Sequence, residues 1–140
     1  MFRIFLAEDN PGDVLLFREA LKSRSFPFEV VLAEDGQKAI QMIRNWAVNE
    51  SDRPDLAVLD VNLPKHNGDE ILQQLRAQVT LADLQVIMFT SSASPVDKAR
   101  AGSLGANLYL QKPSDLEGLL QVAKIIEEIL TGRKPIMPES

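Results

Sequence analysis

Acidic side chains follow two short apolar runs of this 140-residue chain, and a hydroxyl and a lysine follow two others. Glu8 and Asp9 come after the first run, Asp60 after a later one, and Thr90 and Lys112 further along. An aspartate after a strand is commonly a turn former or a helix cap, so each residue alone indicates little. The set indicates more, because parallel strands would bring all five side chains to one edge of a sheet.

Three carboxylates in one place repel one another, and a site with little water could not hold all three ionised. A divalent cation would relieve the repulsion, and so would the ammonium group of Lys112. Carboxylate oxygens, a backbone carbonyl and water suit Mg²⁺. A carboxylate beside such a cation, with a hydroxyl and a lysine near, could accept a phosphoryl group, because the cation and the lysine neutralise its oxygens.

Five apolar segments of the chain are predicted to be buried strands. They are Arg3–Glu8, Phe28–Ala33, Asp55–Asp60, Gln85–Thr90 and Ala106–Gln111. Such strands are apolar on both faces, which is typical of a parallel sheet covered on both sides. In an open sheet of this kind, ligands bind beyond the carboxyl ends of the strands, where the order of the strands reverses.

An amphipathic pattern follows each strand and predicts a helix. The predicted helices are Gly12–Ser23, Gly36–Ala47, Gly68–Gln78, Pro95–Ser103 and Asp115–Thr131. Asp13 and Asp115 are interpreted as helix starts, and Gly132 as a stop signal. The (βα)5 alternation predicts an α/β fold of three layers: a doubly wound parallel sheet, in the flavodoxin-like strand order 2-1-3-4-5, between two layers of helices. We expect one domain over residues 1–132 and a polar tail over 133–140.

Composition excludes several other classes of protein. The net charge is −5 and the pI is about 4.9, which argues against binding to nucleic acid or to an anionic membrane. The sequence has no cysteine and only one histidine, His66, so a thiolate centre, a multi-histidine zinc site and a Ser-His centre are not expected. No apolar run approaches the ~20 residues of a membrane span, and the N-terminus is not typical of a signal peptide.

Taken together, the motifs resemble the receiver domain of two-component response regulators, and the chain is similar to single-domain chemotaxis regulators over about residues 2–131. In that family an acidic pair like Glu8-Asp9 binds the metal. The segment LDVNLP (59–64) matches the phosphoacceptor motif, with Asp60 as the acceptor. The resemblance also implies that Asn62 offers its backbone carbonyl to the metal.

The second half of the chain carries the rest of the resemblance. Thr90 matches the switch hydroxyl with Ser91 as the small residue beside it, and Tyr109 matches the mobile switch aromatic. The Lys112-Pro113 pair matches the family's Lys-Pro, whose peptide bond is usually cis. The spacings agree as well, with 51 residues from the acidic pair to the acceptor, 30 more to the hydroxyl and 22 more to the lysine. Each motif is weak alone, but five in this order are specific.

Two loops, EDNPGD (8–13) and VNLPKHNGDE (61–70), look like those of regulators paired with bacterial phytochrome kinases, which are often dimeric. The resemblance implies a cytoplasmic signalling switch that receives its phosphoryl group from a sensor histidine kinase, for which the two loops suggest the phytochrome type, or from a phosphotransfer protein. Such a domain is no turnover enzyme, although it assists its own phosphorylation and dephosphorylation. Its output is expected to pass to a downstream protein partner.

The last predicted helix is apolar over more than half of its circumference. One stripe is Leu116, Leu119, Ala123, Ile126 and Leu130, and further apolar positions are Leu120, Val122, Ile125 and Ile129. Either the additional residues are buried under the tail, or they form a partner interface such as a homodimer through helix 4, strand 5 and helix 5. Elsewhere, Trp46 is predicted to be partly buried and His66 to be an exposed loop residue without a chemical role.

Two other functions use the same elements. The first is a small Mg²⁺-dependent phosphohydrolase with an aspartate nucleophile, but such enzymes usually carry a second carboxylate where this chain has Asn62. They also usually carry a cap domain, for which 140 residues leave no room. The second is a flavodoxin-like nucleotide binder, but its phosphate loop would fall on AEDNPGD, which is acidic and would repel a phosphate without a metal.

Overall fold

A computed structural model describes residues 1–132 of the chain, so the predicted tail over 133–140 lies outside the described residues. The described part contains one sheet of five parallel strands in the order β2-β1-β3-β4-β5, which confirms the predicted topology. The strands are β1 (Phe2–Ala7), β2 (Phe28–Ala33), β3 (Leu56–Leu59), β4 (Gln85–Thr90) and β5 (Leu108–Gln111). β1 lies between β2 and β3, and its Ala7 pairs with Ala33 on one side and Leu59 on the other.

Five helices connect the strands, and each begins at a side-chain cap that accepts a backbone N–H. The helices are α1 (Pro11–Lys22), α2 (Gly36–Val48), α3 (Gly68–Ala77), α4 (Pro95–Ser103) and α5 (Leu116–Leu130), with caps Asn10, Asp35, Asn67, Ser94 and Asp115. Two 3-10 turns, Glu50–Asp52 and Val79–Leu81, complete the described elements. No helix within residues 1–132 combines the length and the apolar character that a membrane crossing requires.

The predicted start of the last strand was wrong by two residues. The strand was expected from Ala106, but the ladder begins at Leu108. The side-chain oxygen of Asn107 accepts the N–H of Val86 at 2.8 Å, and the N–H of Asn107 donates to the Val86 carbonyl at 2.9 Å. A side chain thus replaces one backbone acceptor of the ladder, and an apolar pattern does not report such a substitution.

The sheet is buried on both faces by separate apolar layers. Phe5, Leu59 and Met88 point towards α2, α3 and α4, whereas Leu6, Val58 and Phe89 point towards α1 and α5. Trp46 of α2 meets the ring of Phe5 edge-on, with 4.8 Å between ring centroids, and is only 4% exposed. It is therefore more deeply buried than predicted. Burial on both faces keeps the strands fixed, so the residues that follow them are held at one edge.

Four residues of the predicted stripe of α5, Leu119, Ala123, Ile126 and Leu130, are buried or pack against the core, but the first, Leu116, does not. Val122 and Ile125 belong to the core, while Leu116 at the start of the helix is 66% exposed and Leu120 is 37% exposed. These two leucines lie on the same helix face as Glu127. Leu120 follows Leu116 by four residues and Glu127 follows Leu120 by seven, which are about one and two turns of a helix.

Glu127 shows which side of α5 that face is on. Its carboxylate binds Arg24 at 2.6 Å, just beyond the end of α1. The exposed leucines of α5 therefore lie on the side of α1. The helix ends as predicted, because Gly132 follows with a φ of 81°.

Candidate functional site

The ends of β1 and β3 lie side by side at the place where the strand order reverses. The N–H of Asp60 donates to the carbonyl of Ala7 at 3.1 Å, so the ladder continues one residue beyond the strands. That bond fixes Asp60 next to Glu8, which directly follows Ala7. Sheets of this topology bind ligands at such a reversal, which is why the sequence pattern predicted chemistry there.

Three carboxylates meet at this point, as the sequence predicted. One oxygen each from Glu8, Asp9 and Asp60 lies within 4.8 Å of the others. Glu8 and Asp60 are buried, at 3% and 6% exposure, whereas Asp9 is exposed to solvent. The cluster therefore consists of two carboxylates held by the fold and one that faces water, and its negative charge requires a counter-ion.

Lys112 provides part of that counter-charge. Its Nζ donates to Glu8 Oε1 at 2.5 Å, to Asp60 Oδ2 at 2.9 Å and to Asp13 Oδ2 at 2.9 Å. Burial opposes the charge of this ammonium group, but the three hydrogen bonds to carboxylates outweigh it and raise the pKa of Lys112. The lysine is therefore charged at any physiological pH, with all three of its donors satisfied.

Glu8 lies in the same surroundings, but here the effect of burial outweighs the hydrogen bonds. Burial raises the pKa of the Glu8 carboxyl above its ordinary value, against the lowering effects of the Lys112 hydrogen bond and of the Asn10 N–H. The second oxygen of Glu8 accepts that N–H at 3.2 Å. A buried carboxylate whose pKa is raised gains by taking a cation as a partner, because the cation offsets the lost hydration.

The loop after β3 approaches Asp60 closely. Asn62 donates its N–H to Asp60 Oδ1 at 3.0 Å, while Lys112 holds Oδ2. Gly68, at the start of α3, lies so close that a Cβ there would stand 2.3 Å from the Asp60 carbonyl oxygen. Glycine is thus required at position 68, and the loop it permits keeps both oxygens of Asp60 at the edge of the cluster.

Thr90 ends β4, as predicted, and Tyr109 lies within β5, three residues before Lys112. Thr90 is fully buried, its Oγ1 accepts the Ser92 N–H at 3.3 Å, and its carbonyl accepts the Lys112 N–H at 2.7 Å. The Tyr109 hydroxyl donates to the carbonyl of Ser92 at 3.1 Å, and its ring is half-buried against the core. Both side chains therefore contact the loop that leads into α4.

Two further features of the site differ from the sequence analysis. Asp13 was interpreted only as a helix start, but α1 is capped by Asn10, and the carboxylate of Asp13 reaches Lys112. No local pattern indicates this contact, because the partner of Asp13 lies 99 residues further along the chain. The peptide bond between Lys112 and Pro113 was expected to be cis, but every peptide bond among residues 1–132 is trans. Trans is the lower-energy isomer of an X-Pro bond.

The donor set of the cluster fits a divalent cation. Carboxylate oxygens are hard ligands, and one oxygen from each of three side chains lies within 4.8 Å of the other two. The single histidine does not contribute, because His66 Nδ1 is bound to Glu70 Oε2 at 2.7 Å in the loop before α3. A cation that prefers oxygen ligands, such as Mg²⁺ or Mn²⁺, therefore suits this site better than zinc does.

The fold and the acidic edge together define a class. The family model "Response regulator receiver domain" matches residues 4–124, and the chain belongs to this family. The predicted resemblance is therefore confirmed. Members of the family act as phosphorylation-controlled switches in two-component signalling, and they bind a divalent metal at their acidic pocket.

Two particular relatives are similar to this chain over most of their own length. Response regulator Rcp1 from Synechocystis is 33% identical over 125 residues, which cover 89% of this chain and 85% of that protein. A probable methanogenesis regulatory protein, FilR2 from Methanothrix harundinacea, is 32% identical, with 94% and 84% covered.

Two solved structures agree in fold with this chain. The phosphorylated cyanobacterial phytochrome response regulator RcpA has a TM-score of 0.83 at 37% identity, and the match covers 93% of this chain and 94% of that one. The Mn²⁺-bound form of Rcp1 has a TM-score of 0.82 at 28% identity, with both chains fully covered.

Proposed function

We propose that Asp60 is the phosphoacceptor of this receiver. The observation that carries the proposal is the fixed position of its carboxylate, with Lys112 on Oδ2 and the Asn62 N–H on Oδ1. In the transfer, a carboxylate oxygen forms a bond to phosphorus while the P–N bond of a phosphohistidine breaks. The electron pair of that bond returns to the imidazole of the donor, and Asp60 becomes an acyl phosphate.

Mg²⁺ would be held by the side chains of Glu8, Asp9 and Asp60 and by the backbone carbonyl of Asn62. When bound, the cation would neutralise charge on the phosphoryl oxygens and on the carboxylates around them. The support is the group of carboxylate oxygens within 4.8 Å and the raised pKa of Glu8. The Mn²⁺-bound structure of Rcp1 is consistent with the same chemistry in a relative.

Lys112 and Thr90 serve the phosphoryl group once it is attached. The ammonium group already donates a hydrogen bond to Asp60 Oδ2. After transfer it can donate to an oxygen of the phosphoryl group that Asp60 then carries. The buried hydroxyl of Thr90 can donate to another oxygen after it leaves the Ser92 N–H. Tyr109 binds the carbonyl of the same Ser92, so a movement of Thr90 would change the position of α4 and alter binding at the surface.

The donor that we propose is a sensor histidine kinase or a phosphotransfer protein. A phytochrome-type kinase is favoured because RcpA, a phytochrome response regulator, is 37% identical to this chain. We further propose that the protein acts in the cytoplasm as a receiver domain over residues 1–132, with a tail over 133–140, and that its output is a protein partner. It would assist its own phosphorylation and dephosphorylation without turning over a separate substrate.

A phosphohydrolase is not favoured by the site. Residue 62 is an asparagine that gives its N–H to Asp60, so no second carboxylate stands two positions after the acceptor. A general acid for a leaving group is therefore missing from that position. We expect the purified protein to release no phosphate from a general phosphomonoester such as p-nitrophenyl phosphate.

The test of the phosphoacceptor uses a small acyl phosphate. The protein is incubated with acetyl phosphate and Mg²⁺, and its intact mass is read with and without a chelator. We expect one phosphoryl adduct that requires the metal and is absent from Asp60→Asn. Asp83→Asn is a matched control, because Asp83 is a highly exposed aspartate in the turn just before β4. An adduct that persists in Asp60→Asn, or none under any acyl phosphate donor, would refute the assignment.

We also propose a homodimer through α4, β5 and α5, the usual output face of receivers. The exposed leucines of α5 lie on the side of α1, so the apolar contribution to this face comes from Val96 of α4, which is 64% exposed. Light scattering should detect self-association that Val96→Glu weakens. Val79→Glu, at a valine in the turn before β4 that is even more exposed at 91%, should not weaken it. A wild-type protein that stays monomeric at high concentration, with and without beryllium fluoride, contradicts the dimer.

A further inference from the structure

Asp13 is the partner of Lys112 that the proposed chemistry leaves without a role. Its Oδ2 lies 2.9 Å from the ammonium nitrogen, the same distance as Asp60 Oδ2. The other two partners, Glu8 and Asp60, belong to the group of carboxylates that could hold a cation, and Asp13 does not. Lys112 thus divides its hydrogen bonds between two candidate metal ligands and one carboxylate outside the metal group.

The local structure fixes the side chain of Asp13. Asn10 caps α1 by accepting the N–H groups of Gly12 and Asp13, at 2.9 and 3.1 Å. Side chains in a helix point back towards its N-terminus, and from the first turn of α1 that direction leads to the carboxyl edge of the sheet. The carboxylate of Asp13 is 39% exposed, whereas the ammonium that it binds is 15% exposed.

We propose that Asp13 is a positioning residue for Lys112, which holds the ammonium in its resting place and competes with the phosphoryl group for it. The inference rests on the proposed function of Asp60. Because Glu8 and Asp60 would share their charge with a bound cation, Asp13 would be the carboxylate whose charge stays available to the lysine. An arriving phosphoryl group must therefore draw the ammonium away from Asp13, and it must approach a site that carries one additional negative charge.

The charge of Asp13 thus slows the loading of Asp60. Removing it leaves Lys112 free to bind the phosphoryl oxygens and lowers the repulsion of an anionic donor. At a separation of about 6 Å and the dielectric constant of about 40–80 that applies to a carboxylate as exposed as that of Asp13, one unit charge changes a rate about three- to tenfold. We therefore expect Asp13→Asn to raise the rate constant for phosphorylation by acetyl phosphate about three- to tenfold.

Three further variants separate this role from a merely structural one. Asp13→Glu keeps the charge and should keep the slow rate of the wild type. Asp13→Ser is a second neutral variant, and its phosphorylation should be as fast as that of Asp13→Asn. It replaces Asp13→Asn in the comparison if that variant folds poorly. Glu117→Gln removes a comparable acidic residue from the first turn of α5, where it has no contact with the lysine, and it should not change the rate.

The experiment measures the phosphorylation rate by intact mass and the affinity for Mg²⁺ by titration calorimetry. Faster loading in both neutral variants, with the wild-type rate in Asp13→Glu and an unchanged Mg²⁺ affinity, supports the proposal. It is overturned if Asp13→Asn and Asp13→Ser load no faster than wild type, if Glu117→Gln has the same effect, or if the Mg²⁺ affinity collapses, which would make Asp13 a metal ligand. If no variant and no wild-type sample is labelled, the phosphoacceptor assignment itself has failed.

Discussion

Lys112 and Arg76 are both partly buried cations that join distant segments of the chain, but different kinds of acceptor hold them. Lys112 binds three carboxylates: Glu8 directly after β1, Asp13 in the first turn of α1, and Asp60 directly after β3. Arg76 binds uncharged oxygens, namely the carbonyls of Leu81, Ala82, Leu84 and Gly105 and the side-chain oxygen of Asn107. One cation is surrounded by negative charge, and the other is surrounded by dipoles.

The difference appears in the pKa values of the two groups. Burial lowers the pKa of the Arg76 guanidinium, because carbonyl oxygens compensate only part of the lost hydration. The pKa of Lys112 is raised, because carboxylates overcome the effect of burial. In the Arg76 cluster the guanidinium is the single charged group. Its hydrogen bonds connect the end of α3 to the turns that precede β4 and β5. The Lys112 cluster keeps excess negative charge, which a metal ion can neutralise, and it includes a carboxylate that can accept a phosphoryl group.

Replacing Lys112 with methionine should produce the largest effect on function. Methionine keeps most of the apolar stem but removes the positive charge next to Asp60. We expect phosphorylation by acetyl phosphate to slow on the order of a hundredfold, as for other charged groups that stabilise a transferred group. The rate is read from intact mass against time at saturating Mg²⁺. A slowing of less than about threefold would mean that the ammonium group is a structural counter-ion and nothing more.

Replacing Arg76 with methionine should instead affect stability. Several carbonyl groups lose their only side-chain donor, at a cost of about 2–4 kcal/mol in the free energy of unfolding. Phosphorylation of the folded variant should stay within twofold of wild type, since Arg76 lies at the opposite edge of the sheet from Asp60. Urea denaturation and the same mass assay measure the two quantities. If Arg76→Met loads slowly while fully folded, the distinction between the two cations is wrong.

The smallest effect is expected from His66→Ala. His66 binds Glu70, and this hydrogen bond lowers the pKa of the Glu70 carboxyl. A carboxyl whose pKa is lowered in the folded state contributes stability above its unfolded pKa, and that contribution is lost as the pH falls. The difference in melting temperature between wild type and His66→Ala should thus narrow below about pH 4. Phosphorylation should be unchanged, whereas loss of the phosphoryl adduct in this variant would make His66 part of the chemistry.

Much of this molecule could be predicted from its sequence, because the relevant interactions are local or follow from topology. Periodicity and caps such as Asp115 locate the helices, and parallel strands necessarily bring Glu8, Asp60 and Lys112 to one edge. The limits of the prediction lie where a side chain acts on a distant backbone. Asn107 shortens β5 by bonding to Val86, and nothing in the apolar pattern of β5 indicates that bond.

The same limit explains the errors around the site. Asp13 has the sequence context of a helix cap, and only the position of Lys112, 99 residues away, gives it another partner. The buried stripe of α5 depends on how the helix lies against α1, which the pairing of Arg24 with Glu127 reports and the helix's own pattern does not. Asp69, in the first turn of α3, likewise has a distant partner that its local sequence does not indicate. It is buried, and Arg100 of α4 lies 3.5 Å from its carboxylate.

The central claim is that the carboxylate cluster at the carboxyl edge, with a metal ion and Lys112 to neutralise it, holds Asp60 ready to accept a phosphoryl group. The most direct measurement traps that group chemically. The protein is phosphorylated with acetyl phosphate and Mg²⁺ and reduced with borohydride, which converts an aspartyl phosphate to homoserine, and its peptides are sequenced by tandem mass spectrometry. We predict homoserine at position 60 alone. Homoserine at Glu8's neighbour Asp9, at Asp13 or at any other aspartate, with Asp60 intact, would contradict the account.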